Sequence, residues 1–82
     1  MGNVFYMRRY EVKGPCPELG IVLSRLAIEI SPGESAVVAS RWRYVLEDIK
    51  NSAGLLGLEV VSAGEGPDGV EVVLRRPSER EH

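Results

Sequence analysis

The residue best suited to chemistry is Cys16, which is the only cysteine of this 82-residue chain and stands between Pro15 and Pro17. Proline is favoured at the first position of a helix, because its φ is already helical and its missing N–H would lack a partner there anyway. Pro17 therefore predicts a helix that begins directly after Cys16. The unpaired N–H groups and the positive dipole end of that helix would stabilise a thiolate, which is the nucleophilic form of cysteine.

This predicted thiolate has few chemical options within the chain. A Cys-Xaa-Xaa-Cys redox pair is excluded, because Leu19 occupies the position of the second cysteine. The one histidine is His82, so we expect neither a His-based catalytic triad nor a His/Cys metal site. Carrying sulfur as a persulfide remains, since a helix N-terminus also stabilises that anion. The alternative interpretation is that Cys16 is simply a small buried apolar side chain.

Hydrophobic periodicity predicts the elements that position this cysteine. Alternating β-branched and aromatic residues indicate strands, and apolar residues spaced three and four apart indicate helices. Turn-forming residues separate these segments. In chain order we predict a strand at 4–12, a helix at 17–30, a turn at 31–34, a buried strand at 35–39 parallel to the first, a second helix that Ser40 could cap, and strands at 58–63 and 70–75 joined by a loop at 64–69.

This order of elements, β-α-β-α-β-β, predicts an α/β (α+β) two-layer sandwich. Each predicted helix has a single apolar stripe, so both helices should cover one face of a four-stranded mixed sheet. The other face should be solvated or covered by a partner. We expect one domain over residues 1–82, with a core at about 4–76 and a polar tail at 77–82 that frays.

Composition narrows the classes of function. A content of 44% hydrophobic and 27% charged residues is ordinary for a globular protein. No apolar run approaches the roughly 20 residues that cross a bilayer, and the N-terminus has no secretory signal pattern. We therefore expect a cytoplasmic protein that is not bound to a membrane. The net charge of -2 argues against nucleic acid as the partner.

The stretch Gly14-Pro15-Cys16-Pro17-Glu18-Leu19, followed by an apolar helix and Pro32-Gly33-Glu34, resembles the TusA (SirA-like) sulfur carriers, whose signature is Cys-Pro-Xaa-Pro at a helix start. Asp48-Ile49 also falls where the second helix of that family carries Asp-Ile. The resemblance covers about residues 10–76. It implies a sandwich in which Cys16 holds sulfane sulfur as a persulfide, with Gly14, Pro17 and Glu18 supporting the motif.

The resemblance also implies partners. A cysteine desulfurase or a rhodanese would donate the sulfur, and a DsrE-like carrier, tRNA thiolation or cofactor biosynthesis would receive it. Such a chain is a sulfurtransferase-type carrier rather than a stand-alone enzyme, since it is too small and too poor in acid and base groups to build a substrate pocket. We expect no cofactor and no metal.

Three positions depart from the family pattern. Leu19 replaces the second proline of the signature, and Gly14 stands one residue closer to the cysteine than is usual. Arg41-Trp42-Arg43 occupies a position where many members have acidic residues. These departures affect the choice of partner more than the thiol, so we predict Leu19, Arg41, Trp42 and Arg43 as docking residues.

Arg41-Trp42-Arg43-Tyr44 alternates cations with aromatic rings, and the pattern has three interpretations. The aromatic rings could pack on the sheet, with the arginines in water. The segment could dock a protein, or its rings could stack on bases. A regulatory or adaptor protein that docks partners here without transferring sulfur is thus an alternative to the carrier, and nucleic-acid binding is a further one.

Arg25 on the exposed face of the first helix could meet an acidic partner. Glu18 in the first turn would interact favourably with the positive end of the helix dipole.

Overall fold

Four strands and two α-helices follow one another in the described part of the chain, in the order β-α-β-α-β-β. The computed structural model describes residues 8–13 and 18–78. The elements are β1 (Arg8–Val12), α1 (Glu18–Glu29), β2 (Ser35–Ser40), α2 (Tyr44–Ala53), a 3₁₀ turn (Gly54–Leu56), β3 (Glu59–Gly66) and β4 (Gly69–Arg75). The predicted fold class is confirmed. The start of the predicted first strand lies outside the described residues.

The strands form one mixed sheet in the order β1-β2-β4-β3. β1 and β2 are parallel, with Val12 opposite Ser40, and α1 is the crossover between them. β4 is antiparallel to both β2 and β3. Parallel neighbours need a long crossover, whereas antiparallel neighbours can be joined by a tight turn, and the chain uses both kinds of connection.

Both helices cover the same face of this sheet. Alternate residues of a strand point to one face, and the buried residues of β4 alternate in this way, as do Ala36 and Val38 of β2. The apolar stripes of the two helices bury against them, as their spacing predicts. The shared core contains Ala36, Val38, Val72 and Leu74 from the sheet, Leu19, Val22, Leu23 and Leu26 from α1, Ile30 just after it, and Val45, Ile49 and Ala53 from α2.

The opposite face of the sheet is open and carries charged side chains. Arg9 on β1 reaches across β2 to Glu71 on β4, with its Nη2 at 3.1 Å from Oε2. Both side chains are about half exposed. Exposed ion pairs of this kind contribute at most about 1 kcal/mol, so they keep this face hydrated rather than hold the sheet together.

Arg76 closes the C-terminal end of α1, a role that its sequence position did not indicate. Its Nη1 donates to the backbone carbonyls of Ile30 at 2.9 Å and Ala27 at 3.4 Å. The backbone of Arg76 also pairs with Gly33 and Glu34 in the turn after α1. The last turn of α1 contains no basic residue of its own, so a cation from the end of β4 serves its exposed carbonyls and the negative end of its dipole.

The predicted capping role of Ser40 is wrong. Ser40 is the last residue of β2 and is buried, and its Oγ donates to the carbonyl of Val12 at 3.1 Å. The same Oγ accepts the backbone N–H of Trp42 at 3.1 Å. α2 begins later, at Tyr44, and has no side-chain cap. The hydroxyl is used between strands because a buried polar group must find a partner, and the Val12 carbonyl is within its reach.

The predicted loop at 64–69 is too long. β3 continues to Gly66, which pairs with Gly69, so only Pro67 and Asp68 form the turn. Ladder pairing with β4 outweighs the low strand propensity of the glycines in β3, because a backbone hydrogen bond does not depend on the side chain. β3 also contains one unpaired extra residue, Val61, between the pairs that Val60 and Ser62 make with β4.

Candidate functional site

The segment that carries the predicted thiol connects two described residues that touch each other. Residues 14–17 lie outside the described residues, so the roles of Gly14, Cys16 and Pro17 stay predictions. The backbone N–H of Lys13, just before this segment, donates to Oε2 of Glu18, just after it, at a distance of 3.0 Å. This hydrogen bond fixes the point where the chain leaves β1 relative to the point where it joins α1.

Glu18 is the first residue of α1 and follows Cys16 by two positions. Its carboxylate lies in the first helical turn, where it interacts favourably with the positive end of the helix dipole, as predicted. The hydrogen bond from Lys13 adds a second role that the sequence did not indicate, because Glu18 ties the helix start to the strand before it. α1 thus begins at a defined place at the end of the sheet.

The two sequence motifs that could have a chemical or binding role each follow the end of one of two neighbouring strands. β1 and β2 run parallel and in register, with Val12 opposite Ser40, so they end at the same edge of the sheet. The segment with Cys16 follows β1, and Arg41-Trp42-Arg43 follows β2. The carboxyl ends of parallel strands are the usual place for binding sites in open α/β sheets. The sequence indicated each motif, but only the strand pairing brings the two strand ends together.

Trp42 and Tyr44 are surface residues. Their side chains are 40% and 42% exposed, and neither belongs to the core cluster. Their ring centroids are 6.2 Å apart with planes tilted by 38°, a favourable geometry for an aromatic pair. The rings are therefore partly exposed and lie outside the core, so packing on the sheet and docking of a partner both stay open as interpretations. Their exposure leaves an aromatic surface beside the end of β2.

Arg41 and Arg43 differ in their surroundings. Nε of Arg43 lies 3.6 Å from Oε1 of Glu65 on β3, although the arginine side chain remains 77% exposed. Arg41 makes no ion pair with any residue of the described part of the chain. It lines an open groove together with Lys13, Trp42 and the β3–β4 turn. Arg41 is therefore the more available cation of the predicted pair.

Leu19 and Arg25 do not form part of this surface. Leu19 is 3% exposed and belongs to the core, since it lies on the apolar stripe of α1, so its predicted docking role is wrong. Arg25 is exposed as predicted, but its Nη2 lies 3.5 Å from Oε2 of Glu29, one helical turn along. It stabilises the solvent face of α1 in this way.

Two pKa shifts occur at the C-terminal end of α1, away from the helix start. The hydroxyl of Tyr10 on β1 donates to Oε1 of Glu29 at 2.5 Å. Burial raises the pKa of Tyr10, and the hydrogen bond to Glu29 raises it further. That hydrogen bond is the main reason why the pKa of Glu29 is lowered, with Arg25 nearby as a smaller cause. The pair joins β1 to α1 and has a structural role.

Residues 8–13 and 18–78 contain no cluster of three or more His, Cys, Asp or Glu side chains that could hold a metal ion. No helix in these same residues is long and apolar enough to span a membrane. Comparison with protein-family models and with curated proteins finds no match for this chain.

Proposed function

We propose that this chain is a sulfur carrier, in which Cys16 holds sulfane sulfur as a persulfide and delivers it to a partner protein. The observation that carries the proposal is the position of the helix start: α1 begins at Glu18, two residues after Cys16, at the edge of the sheet where β2 also ends. The N-terminus of a helix stabilises an anion by about 0.3–1 kcal/mol. A thiolate and a persulfide anion on Cys16 would both gain this stabilisation.

The proposed reaction moves one sulfur atom between thiols. The Cys16 thiolate attacks the outer sulfur of a persulfide on the donor protein. The S–S bond of the donor breaks, a new S–S bond forms on Cys16, and the donor cysteine leaves as a thiolate. An acceptor thiolate then attacks the outer sulfur on Cys16 in the same way. Each transfer conserves the oxidation state of the sulfane sulfur, so no external oxidant or reductant is needed.

The proposed partners follow from the resemblance to the TusA family. The donor is a cysteine desulfurase or a rhodanese, and the acceptor is a DsrE-like carrier or a thiolation enzyme. We place the carrier in the cytoplasm, where thiols are kept reduced. The described residues support a docking role for Arg41 and Trp42, because both line the groove that also includes Lys13, the last described residue before the Cys16 segment.

Mass spectrometry of the intact protein tests this proposal. After incubation with a cysteine desulfurase and cysteine, or with inorganic polysulfide, we expect a gain in mass of one sulfur atom that a reducing agent removes. Cys16→Ser should show no gain, and its circular dichroism spectrum should match that of the parent protein. If the parent protein gains no sulfur from any of several donors, the proposal is wrong.

The alternative function is an adaptor that docks partners through Arg41-Trp42-Arg43 without transferring sulfur. The exposed aromatic pair Trp42 and Tyr44 favours it, because Trp and Tyr are among the side chains that most often dominate the binding energy of protein interfaces. A chain that binds partners through this surface but never gains sulfur on Cys16 would be such an adaptor. Nucleic-acid binding predicts an affinity that falls steeply with salt and weakens when Arg41 and Arg43 are replaced.

A further inference from the structure

We infer that the hairpin turn between β3 and β4 is a site of spontaneous covalent modification, at which Asp68 isomerises to isoaspartate. The inference goes beyond sulfur transfer and is independent of it, since the reaction uses neither Cys16 nor the segment around it. It rests on three features of the described residues: an exposed carboxylate without a partner among them, a following glycine, and a turn that packs closely on the end of β2.

The reaction takes place within the chain. The backbone nitrogen of Gly69 attacks the side-chain carboxyl carbon of Asp68, a C–N bond forms, and the carboxyl OH leaves with the N–H proton as water. Water then opens the resulting five-membered imide at one of its two carbonyls. Opening at the side-chain carbonyl restores aspartate, whereas opening at the main-chain carbonyl leaves Gly69 joined through the side chain, which is isoaspartate. No atom changes its oxidation state, so water is the only co-reactant.

Asp68 has the surroundings that this reaction needs. It is exposed, and its side chain makes no hydrogen bond or ion pair with any residue at 8–13 or 18–78, so its carboxyl group can turn towards the next backbone nitrogen. Gly69 has no Cβ that would crowd the attacking nitrogen. Only Pro67 and Asp68 separate the two strands, and such loop tips are where a fold opens most easily.

The other aspartate of the chain, Asp48, lacks these features. The residue after it is Ile49, whose branched side chain is buried and crowds its own backbone nitrogen. That nitrogen also lies inside α2, where each N–H donates to the carbonyl four residues earlier. Imide formation at Asp48 therefore requires α2 to unwind, and Asp48 serves as an internal control for Asp68.

Isomerisation would disturb the contact between the hairpin turn and β2. The isoaspartyl link adds one carbon to the main chain directly before Gly69, which pairs with Gly66 at the end of the ladder. Gly69 also lies so close to the backbone of Ser40 and Arg41 that there is no room there even for a Cβ. The added length therefore cannot be accommodated without shifting this pair or the segment that leads to Trp42. We expect a loss of stability and a changed emission of Trp42, the only tryptophan of the chain.

Ageing of the full chain tests the inference. The folded protein is incubated in mildly acidic buffer with a reducing agent, in parallel with the same protein unfolded in guanidinium chloride. Isoaspartate is measured by enzymatic methylation of the isoaspartyl carboxylate and located by peptide mapping, in which the isomerised peptide keeps its mass and changes its retention time. In the folded protein we expect isoaspartate at residue 68 and none at residue 48. Its rate of formation should lie within about tenfold of that in the unfolded chain, because opening the hairpin tip costs little.

Two variants of Asp68 separate the chemistry from the fold. Asp68→Glu keeps the charge but requires a six-membered imide, which forms much more slowly, so this variant should not isomerise. Asp68→Asn loses ammonia instead of water and should form isoaspartate faster than the parent protein. The isomerised fraction of the parent protein should unfold at lower urea concentration than fresh protein, whereas aged Asp68→Glu should be unchanged. Isoaspartate at residue 68 only in the unfolded chain, equal amounts at residues 68 and 48, or an isomerised fraction as stable as fresh protein would each overturn the inference.

Discussion

Replacing Gly69 by alanine should disrupt the structure where the hairpin turn between β3 and β4 meets the end of β2. Gly69 opens β4 with a φ of 135°, in the region that favours glycine. A Cβ on this residue would lie 2.2 Å from the carbonyl oxygen of Ser40 and 2.6 Å from Cα of Arg41. Both neighbours are backbone atoms, so no side-chain rotation can relieve the contact. Relief requires the hairpin to move away from the segment that leads to Trp42.

The expected loss of stability has two components. A non-glycine residue held in such a backbone region costs about 1–3 kcal/mol. Overpacking against fixed neighbours costs about 1–3 kcal/mol more. Together they reduce the free energy of unfolding by about 2–6 kcal/mol, which is a large share of the roughly 5–15 kcal/mol of a typical domain.

Two other glycines separate these components. Gly33 has a φ of 89°, but a Cβ added there would meet nothing within 4 Å, so Gly33→Ala reports backbone strain alone, at about 1–2 kcal/mol. Gly66 in the same hairpin has neither a positive φ nor a close neighbour, and Gly66→Ala should change stability by less than about 0.5 kcal/mol. The expected order of destabilisation is therefore Gly69, then Gly33, then Gly66.

Urea unfolding followed by Trp42 emission measures all three variants against the parent protein. If Gly69→Ala is unfolded in water, the same titration in trimethylamine N-oxide, which favours the compact state, recovers the comparison. The native emission of Gly69→Ala should also shift, since its clash involves the backbone beside Trp42. A Gly69→Ala variant as stable as Gly66→Ala would refute the close packing of the hairpin against β2.

Three further predictions concern α1. Arg76→Met should lower the free energy of unfolding by about 1.5–3 kcal/mol, because a charged donor is lost from the carbonyls at the helix end, and Arg76→Lys should recover part of it in the same urea titration. Tyr10→Phe should flatten the pH dependence of stability. Because the pKa of Glu29 is lowered in the folded protein, Glu29 contributes stability above about pH 4.3, and this contribution is lost as the pH falls. Because the pKa of Tyr10 is raised, the stability of the parent protein falls as the pH rises above about 10. Leu19→Ala should cost about 2–5 kcal/mol, whereas Ile21→Ala, at a position 58% exposed, should cost much less; equal losses would contradict the burial of Leu19.

Local sequence patterns predicted the elements of this fold well. The spacing of Leu19, Leu23 and Leu26 identified the buried stripe of α1, since residues three and four apart share a helix face. The turn chemistry of Pro32-Gly33 correctly ended that helix, and Gly33 adopts the positive φ that the turn needs. The predictions at Ser40 and at the β3–β4 loop failed because a partner distant in sequence competed with the local preference.

The candidate site shows the same division. The sequence by itself determined which residues could react or bind: a single cysteine before a helix start, and an Arg-Trp-Arg segment after a strand. It also determined the order of strands and helices, because periodicity is a property of neighbours along the chain. Whether the rings of Trp42 and Tyr44 would be core or surface could not be decided in this way, since their burial depends on what packs above the end of β2.

Only the tertiary structure decided which distant groups meet. Parallel pairing of β1 with β2 places the segment after Val12 beside the segment after Ser40, and the Ser40 hydroxyl bridges 28 residues to Val12. Arg76 reaches 46 residues back to the end of α1, and Gly69 leaves room for the backbone of Ser40. Many residues could make such contacts by type. The choice among them depends on sheet order and register, which are properties of the whole packed chain.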